Sequence, residues 1–472
     1  MMSDFRIERD TMGEMQVPAE ALYGASTARA VENFPIAHRP VPLNVIHAFG
    51  HLKAAAAQAN LELGKLDERR AKAVVEAAGE VADGKHDAHF PVDVYQTGSG
   101  TSTNTNANEV IANLANQRLG FGVGAKGKEG AVNPNDHVNM GQSSNDTFPT
   151  AMHIAATIAI AKELIPALER LQRDLAAKAT EWDDIIKIGR THVMDATPIR
   201  IGQVFSGYAA QAQYAVVRAN RALKRLQENM PIGGTAVGTG INTHPKFAAK
   251  VCAMLSSTLG ATFTEALNHH EAQAAKDSFV EAHGELKTIA VSLSKIANDI
   301  RLLGSGPRCG IFELSLPATQ PGSSIMPGKV NPVIAESMIQ VTCRVLGNDA
   351  VVTTAGLGGI GSLFELNVAM PVMIDAFLES VKLLANATNV FVDKLLTGLA
   401  VNEQRAGALI EQSLMMVTAL APKIGYEKAA ALATEAFDTG KTIRELCRER
   451  KVLPEVELNE ALDPRRMTEP RE

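Results

Sequence analysis

Apolar residues recur at helical spacing through most of the chain. The clearest case lies in 272–303, where Phe279, Ala282, Leu286, Ile289, Leu293, Ile296, Ile300 and Leu303 are separated by 3, 4, 3, 4, 3, 4 and 3 residues. This heptad seam predicts an amphipathic helix that needs a facing helix to bury it. Residues 148–182, 200–229, 333–354 and 366–395 carry the pattern of further long helices. Long helices with apolar stripes pack as near-parallel bundles. One protomer buries part of such a surface and association buries the rest, so the pattern predicts an oligomer.

The two ends differ from this middle. In residues 1–142, glycine-rich and polar stretches separate shorter helices expected at 45–62 and 67–83. A glycine-rich linker at 120–130 precedes a polar block that reads as loop up to Asp146. Glycine-rich breaks at 233–240 and 356–362 interrupt the helical region. No strand pattern precedes either break and no βαβ pattern surrounds them, which excludes a dinucleotide-binding reading. Residues 401–472 are more charged and helical, with a hydrophilic end expected to fray. The expected organisation is therefore a mixed, mostly helical domain at 1–142, a long-helix bundle at 143–400 and a small helical domain at 401–472.

Composition narrows the class. The 472 residues are 46% hydrophobic, enough for a large core. Aromatics are only 4% and alanine is abundant, which favours helix over sheet. The net charge of -6 and the lack of a long basic run argue against nucleic acid or an anionic membrane as partner. No run of 18 uninterrupted apolar residues predicts a membrane span, and the first fifteen residues lack the apolar core of a secretory signal. Cys252, Cys309, Cys343 and Cys447 are widely spaced without a CxxC pair. That pattern fits neither a disulfide framework nor a zinc site, and a reducing cytoplasm is the simplest home.

Four polar blocks carry candidate chemistry. Residues 322–332 (GSSIMPGKVNP) hold two glycines, two prolines, two serines, one lysine and one asparagine. Such a loop is shaped by its backbone, and its N–H groups and Lys329 suit an anion; it is either a closing lid or a rigid surface turn. Residues 96–109 (QTGSGTSTNTNANE) set hydroxyls and amides beside glycines, as a helix cap, a carboxylate cradle or both. Residues 133–146 (NPNDHVNMGQSSND) form another donor-rich loop, in which Asp136 reads as an Asx-turn because no further metal ligand lies at useful spacing. In 189–198 (GRTHVMDATP), His192 sits in a bounded turn, as a packed or surface residue or as a proton carrier near neutral pH. Glu336 starts an apolar helix, where a carboxylate is favoured by the helix dipole.

Gly-Ser-Ser-x-Met-Pro-x-Lys-x-Asn at 322–331 resembles the signature loop of the fumarase/aspartase superfamily. Taken together, the blocks resemble class II fumarate hydratases over nearly the whole chain. Within that superfamily, Gln-Thr-Gly-Ser-Gly-Thr at 96–101, Gly-Arg-Thr-His at 189–192 and Met-Pro-Gly-Lys at 326–329 are worded as in the hydratases. Aspartate ammonia-lyases typically carry Gln-Gly-Gly-Ala-Gly-Thr, a glutamine in place of the histidine, and Met-Pro-Ala-Lys. Two departures stand out. Asn133 replaces a histidine frequent in a secondary carboxylate site, and Ala25-Ser26-Thr27-Ala28-Arg29 differs from the usual Gln-Thr-Gln-Arg run.

The resemblance implies a mainly α, three-domain fold with a long central helical bundle shared in a homotetramer. It implies reversible hydration of fumarate to (S)-malate in the tricarboxylic acid cycle, through an aci-carboxylate intermediate. It assigns the base role to Ser323, with Lys329 beside it, and the acid role to His192 paired with Glu336. It assigns the substrate carboxylates to Ser99, Gly100, Thr101, Ser143, Ser144, Asn145, Thr191, Ser324, Lys329, Val330 and Asn331. The secondary site falls on Asn133, Pro134, Asn135 and Asp136. No metal or organic cofactor is implied, and the partners are small dicarboxylates and further copies of the chain, not nucleic acid or membrane. The alternatives are aspartate ammonia-lyase, or a non-catalytic helical scaffold of the same fold.

Overall fold

The expected long helices are present, and their ends show what apolar periodicity alone does not fix. The computed structural model describes residues 5–470. Strands β1 (Phe5–Asp10) and β2 (Gly13–Pro18) form an antiparallel hairpin. Helices α1 (Ala25–Asn33), α2 (Leu43–Glu62), α3 (Glu68–Ala82), α4 (Thr101–Arg118), α5 (Ser144–Ala159) and α6 (Ile165–Glu181) follow, the last two joined through one wide turn. A second antiparallel hairpin, β3 (Ile186–Thr191) and β4 (Met194–Arg200), leads into α7 (Ile201–Gln227). Then come α8 (Phe247–Leu259), α9 (His269–Ala274), α10 (Asp277–Leu303), α11 (Val333–Gly356) and α12 (Met370–Phe391), and a set of short helices from Glu403 onward.

The helix expected over 272–303 is broken. Ala275 is extended, and the buried Lys276 Nζ donates to the carbonyls of Ala272, Gln273 and Ala275 at 2.7, 2.8 and 2.8 Å. The ammonium thus satisfies carbonyls at the end of α9, which otherwise lack partners. The heptad seam itself is buried within the chain, Phe279, Leu286 and Ile300 being fully inaccessible. The seam is therefore not the surface left for association. Exposed apolar residues lie elsewhere on the long helices: Tyr214 and Val217 on α7, Val291 on α10, Leu346 and Val351 on α11.

Compactness divides the chain into two units. One comprises residues up to Pro166, Val217–Ala290 and Cys343–Ala385; the other comprises Ala167–Val216, Val291–Thr342 and the chain from Asn386. Each of α7, α10, α11 and α12 contributes residues to both.

In the first unit, α2 packs against α3, α5 and α8, burying Val45, Phe49 and Leu52. The Phe279 ring meets His153 and Phe377 edge-on, with centroids 4.8 and 5.4 Å apart, which locks α10 between α5 and α12. The stretch Ser144–Glu181 is long and apolar enough to cross a membrane by length and composition, but 67% of its most apolar window is buried inside the chain. It is a core helix.

In the second unit, Trp182, Phe205 and Tyr208 stack edge-on, and Tyr208 donates to Asp299 at 3.0 Å. The C-terminal helices have a core of their own, built on Leu420, Leu432, Leu446 and Leu458. The hydrophilic end is tied down as far as Glu469: Arg200 bonds Thr468 and Glu469, and Gln203 donates to the Thr468 carbonyl. Residues 471–472, where fraying was also expected, lie outside the described residues.

Candidate active site

In the first unit two helix N-termini meet. Gly100 caps α4 in a left-handed conformation, φ 72°, and a side chain there would run into the Phe148 ring. Gly98 presses equally closely on the Val368 carbonyl, and its own carbonyl accepts from Met370 N at 3.1 Å. Both positions need glycine for that approach. The chain then presents its hydroxyls in a row. Ser99 Oγ lies 2.8 Å from Thr101 Oγ1, which lies 2.7 Å from Ser144 Oγ. Thr101 and Ser144 are the first residues of α4 and α5. Aligned peptide dipoles at two adjoining N-termini favour an anion between those hydroxyls.

The start of α5 is held from below. Ser143 and Asp146 form a reciprocal cap: Asn145 N donates to Ser143 Oγ at 3.2 Å and Ser143 N to Asp146 Oδ1 at 2.9 Å. Asp146 Oδ2 accepts from Gly233 N at 3.0 Å and Thr235 N at 2.9 Å, and Asn145 Nδ2 donates to the Ala236 carbonyl at 2.8 Å. The glycine-rich break at 233–240 is therefore a strap across the α5 N-terminus. Asp146 is fully buried, and desolvation raises its carboxyl to about 6 against the pull of its backbone donors. The equally buried Lys53 Nζ donates to Asn139 Oδ1 at 2.9 Å and Gln142 Oε1 at 3.0 Å, and burial lowers it to about 7.

The second unit carries the His192 turn and the signature loop. His192 and Val193 form the two-residue turn between β3 and β4, with φ 58° and 63°. Such a hairpin turn matches the strand twist but strains any residue other than glycine or asparagine, a β-branched valine most. The strain persists because the base of the hairpin is anchored. Arg190 makes two bonds of 2.9 and 3.1 Å to the inaccessible Glu313, and Lys187 reaches the same carboxylate at 3.1 Å. Thr191 and His192 project at the exposed tip.

The signature loop is closed at its neck. Gly322 N donates to the Lys329 carbonyl at 2.8 Å, and Asn331 Nδ2 donates to the Gly322 carbonyl at 2.6 Å. Inside the loop, Ser323 Oγ accepts from Ile325 N at 3.2 Å and Met326 N at 2.9 Å. Two N–H donors on one hydroxyl oxygen favour its anionic form. Ser324, Lys329 and Val330 are exposed, and Glu336 lies in the first turn of α11. Among the described residues, His192 makes no hydrogen bond or ion pair with Glu336.

The structure thus joins Ser99, Thr101, Ser143, Ser144 and Asn145 in one network, and Ser323, Lys329 and Asn331 in one loop. The Asx-turn expected at Asp136 belongs to Asn133. Pro134 opens a short helical turn, so Asn133 is its cap, and its Oδ1 accepts from Asn135 N at 2.8 Å and Asp136 N at 3.2 Å. Asp146, Lys53 and Glu313 were not among the expected site residues. The capping pattern Ser-x-x-Asp was the one signal that pointed to Asp146.

Known proteins resemble this chain in sequence and fold. A profile of a lyase family matches residues 13–347, and one described as the fumarase C C-terminus matches residues 416–469. A class II fumarate hydratase of Corynebacterium efficiens is 55% identical over 443 residues, covering 94% of this chain and 91% of its own. The mitochondrial fumarate hydratase of Mus musculus is 50% identical over 471 residues, covering 99% and 91%. The crystal structure of a recombinant class II fumarase from Schistosoma mansoni superposes with a TM-score of 0.95 at 37% identity, over 99% of this chain and 100% of that one. With its signature loop, its hydroxyl-lined helix N-termini and its full-length likeness to these proteins, the chain belongs to the class II fumarate hydratase family of lyases.

Proposed function

We propose that this chain interconverts fumarate and (S)-malate, with Ser323 as base and His192, paired with Glu336, as acid. The reading rests on one observation above all: the Ser323 oxygen already accepts two loop N–H groups, in a loop that also carries Lys329. In the malate direction, the Ser323 alkoxide takes a proton from C3. The electron pair moves into the neighbouring carboxylate, giving an aci-carboxylate dianion. Lys329 and Asn331 stabilise that charge, while the hydroxyls of Ser99, Thr101, Ser143 and Ser144 hold the substrate's other carboxylate. His192 then delivers a proton, through a water, to the departing hydroxyl, and water leaves with formation of the double bond. Hydration is the reverse. Gly100, Asn145, Thr191, Ser324 and Val330 complete the carboxylate contacts.

The working form is a homotetramer in the cytoplasm, and each site draws His192 and Ser323 from different subunits. Support comes from what the chain leaves uncovered. Val193, beside His192, is 73% exposed, and Ile325, two residues past Ser323, is 83% exposed. Apolar tips flanking both proton-transfer groups are suited to burial against another copy. The secondary carboxylate site at 133–136 is weakened, because Asn133 itself occupies the N–H donors an anion would use.

The test is purified protein with malate or aspartate, following fumarate by ultraviolet absorbance. Malate is turned over, and turnover survives chelator treatment. Ammonia release from aspartate without malate turnover would replace this reading.

A further inference from the structure

Directly beneath the hydroxyl cradle lies a buried polar network that the proposed chemistry does not use. Its members are far apart in sequence: Lys53 on α2, Asn104 on α4, Asn139 and Gln142 in the loop before α5, Asp146 and Thr147 on α5, and the 233–235 strap. Asn104 Nδ2 donates to Asn139 Oδ1 at 3.2 Å, and Thr147 Oγ1 lies 3.0 Å from Asn104 Oδ1. Lys53 holds Asn139 and Gln142, the latter immediately before the Ser143 cap. Asp146 ties that cap to the strap. Neither Lys53 nor Asp146 reaches solvent.

We propose that Asp146 and Lys53 are positioning residues for substrate binding, which fix the N-terminus of α5 as a carboxylate receptor. The inference rests on the dicarboxylate reading above. Asp146 is the one group that both caps α5 and grips the strap carrying Ala236, the partner of Asn145. Its three N–H donors would otherwise be free to turn. Lys53 fixes Asn139 and Gln142 beneath the receptor, and its protonated form offsets the carboxylate of Asp146 and adds to the field that draws an anion. A carboxylate held this way is bound equally in the ground and transition states. Loss of the support therefore weakens binding and leaves the chemical step largely intact.

Asp146→Asn keeps the shape but sets an amide NH2 against either the Ser143 or the strap N–H donors. We expect KM for malate to rise by about tenfold or more while kcat stays within about threefold. Inhibition by succinate, a saturated dicarboxylate, should weaken in parallel. Lys53→Met should raise both constants in the same direction, by less, and serves as the test if Asp146→Asn fails to fold. A purely structural role would lower thermal stability or the active fraction, hence apparent kcat, with KM and the succinate constant unchanged; that result in the folded variants overturns the inference. Wild-type protein run alongside separates the two questions: if it does not turn over malate, the functional reading fails, whatever the variants do.

Discussion

The hydroxyl cradle and the two elements proposed to move protons are built in opposite ways. Around the cradle, polar groups satisfy one another inside the first unit: Ser99 with Thr101, Thr101 with Ser144, and Asp146 with three backbone donors. The His192 turn and the 322–331 loop are fastened only at their bases, by Glu313 and by the Gly322–Lys329 and Asn331–Gly322 bonds, and their tips stand in solvent. Under the proposed function, the difference separates two tasks. Holding a carboxylate requires donors fixed before the substrate arrives, which half-buried hydroxyls anchored on the buried Asp146 supply. Moving protons requires groups that approach the substrate and exclude water on closure, and these belong on turns and loops.

This contrast can be broken by experiment, the largest effect being at the loop. Ser323→Ala should lower kcat by ~10²-fold or more, because the base of the chemical step is lost. Thermal stability should stay near wild type, since Ser323 Oγ only accepts from two exposed loop N–H groups. Near-normal kcat would remove this serine from the mechanism.

Glu313→Ala attacks the base of the hairpin. It leaves Arg190 and the buried Lys187 without their carboxylate, and breaking such a pair from one side costs about 3–5 kcal/mol. Denaturant unfolding should show the loss, and turnover should fall with it because the strained His192 turn loses its anchor. Unchanged stability would mean that Glu313 does not hold the hairpin.

A smaller effect sharpens the assignment of the exposed groups. His192→Asn and Glu336→Gln should each reduce turnover, and the double variant should lose less than the two losses combined. Additive losses would separate the residues, which make no bond to each other among the described residues of one chain.

The smallest effect belongs to the buried half. Burial lowers Lys53 from 10.5 to about 7, so between those values the folded chain binds fewer protons than the unfolded chain. That contribution to stability therefore rises with pH across the window. Wild type should gain melting temperature relative to Lys53→Met as pH rises from about 7 towards 10. A constant difference would place the ammonium in contact with solvent.

Much of this was legible in the chain before its fold. The long helices follow from apolar spacing, and the loop at 322–332 declares itself by its glycines, prolines and single lysine. The groups that support the site were not legible, for a physical reason. Asp146 meets its strap donors 87 and 89 residues away, Glu313 meets Arg190 across 123, and Lys53 meets Asn139 across 86. Local pattern carries no trace of such pairs. The same limit explains the break before α10, which depends on where one lysine is buried, and the burial of the heptad seam within a single chain.

The claim that the exposed half is completed by another copy has a direct test. Ser323→Ala and His192→Asn chains, each impaired, are unfolded together and refolded as a mixture. If each site takes His192 from one subunit and Ser323 from another, roughly a quarter of the sites in random tetramers inherit both native residues. Activity then rises above that of either parent by about that fraction of the wild-type value. Mixed tetramers that form and remain as inactive as their parents would contradict the shared site.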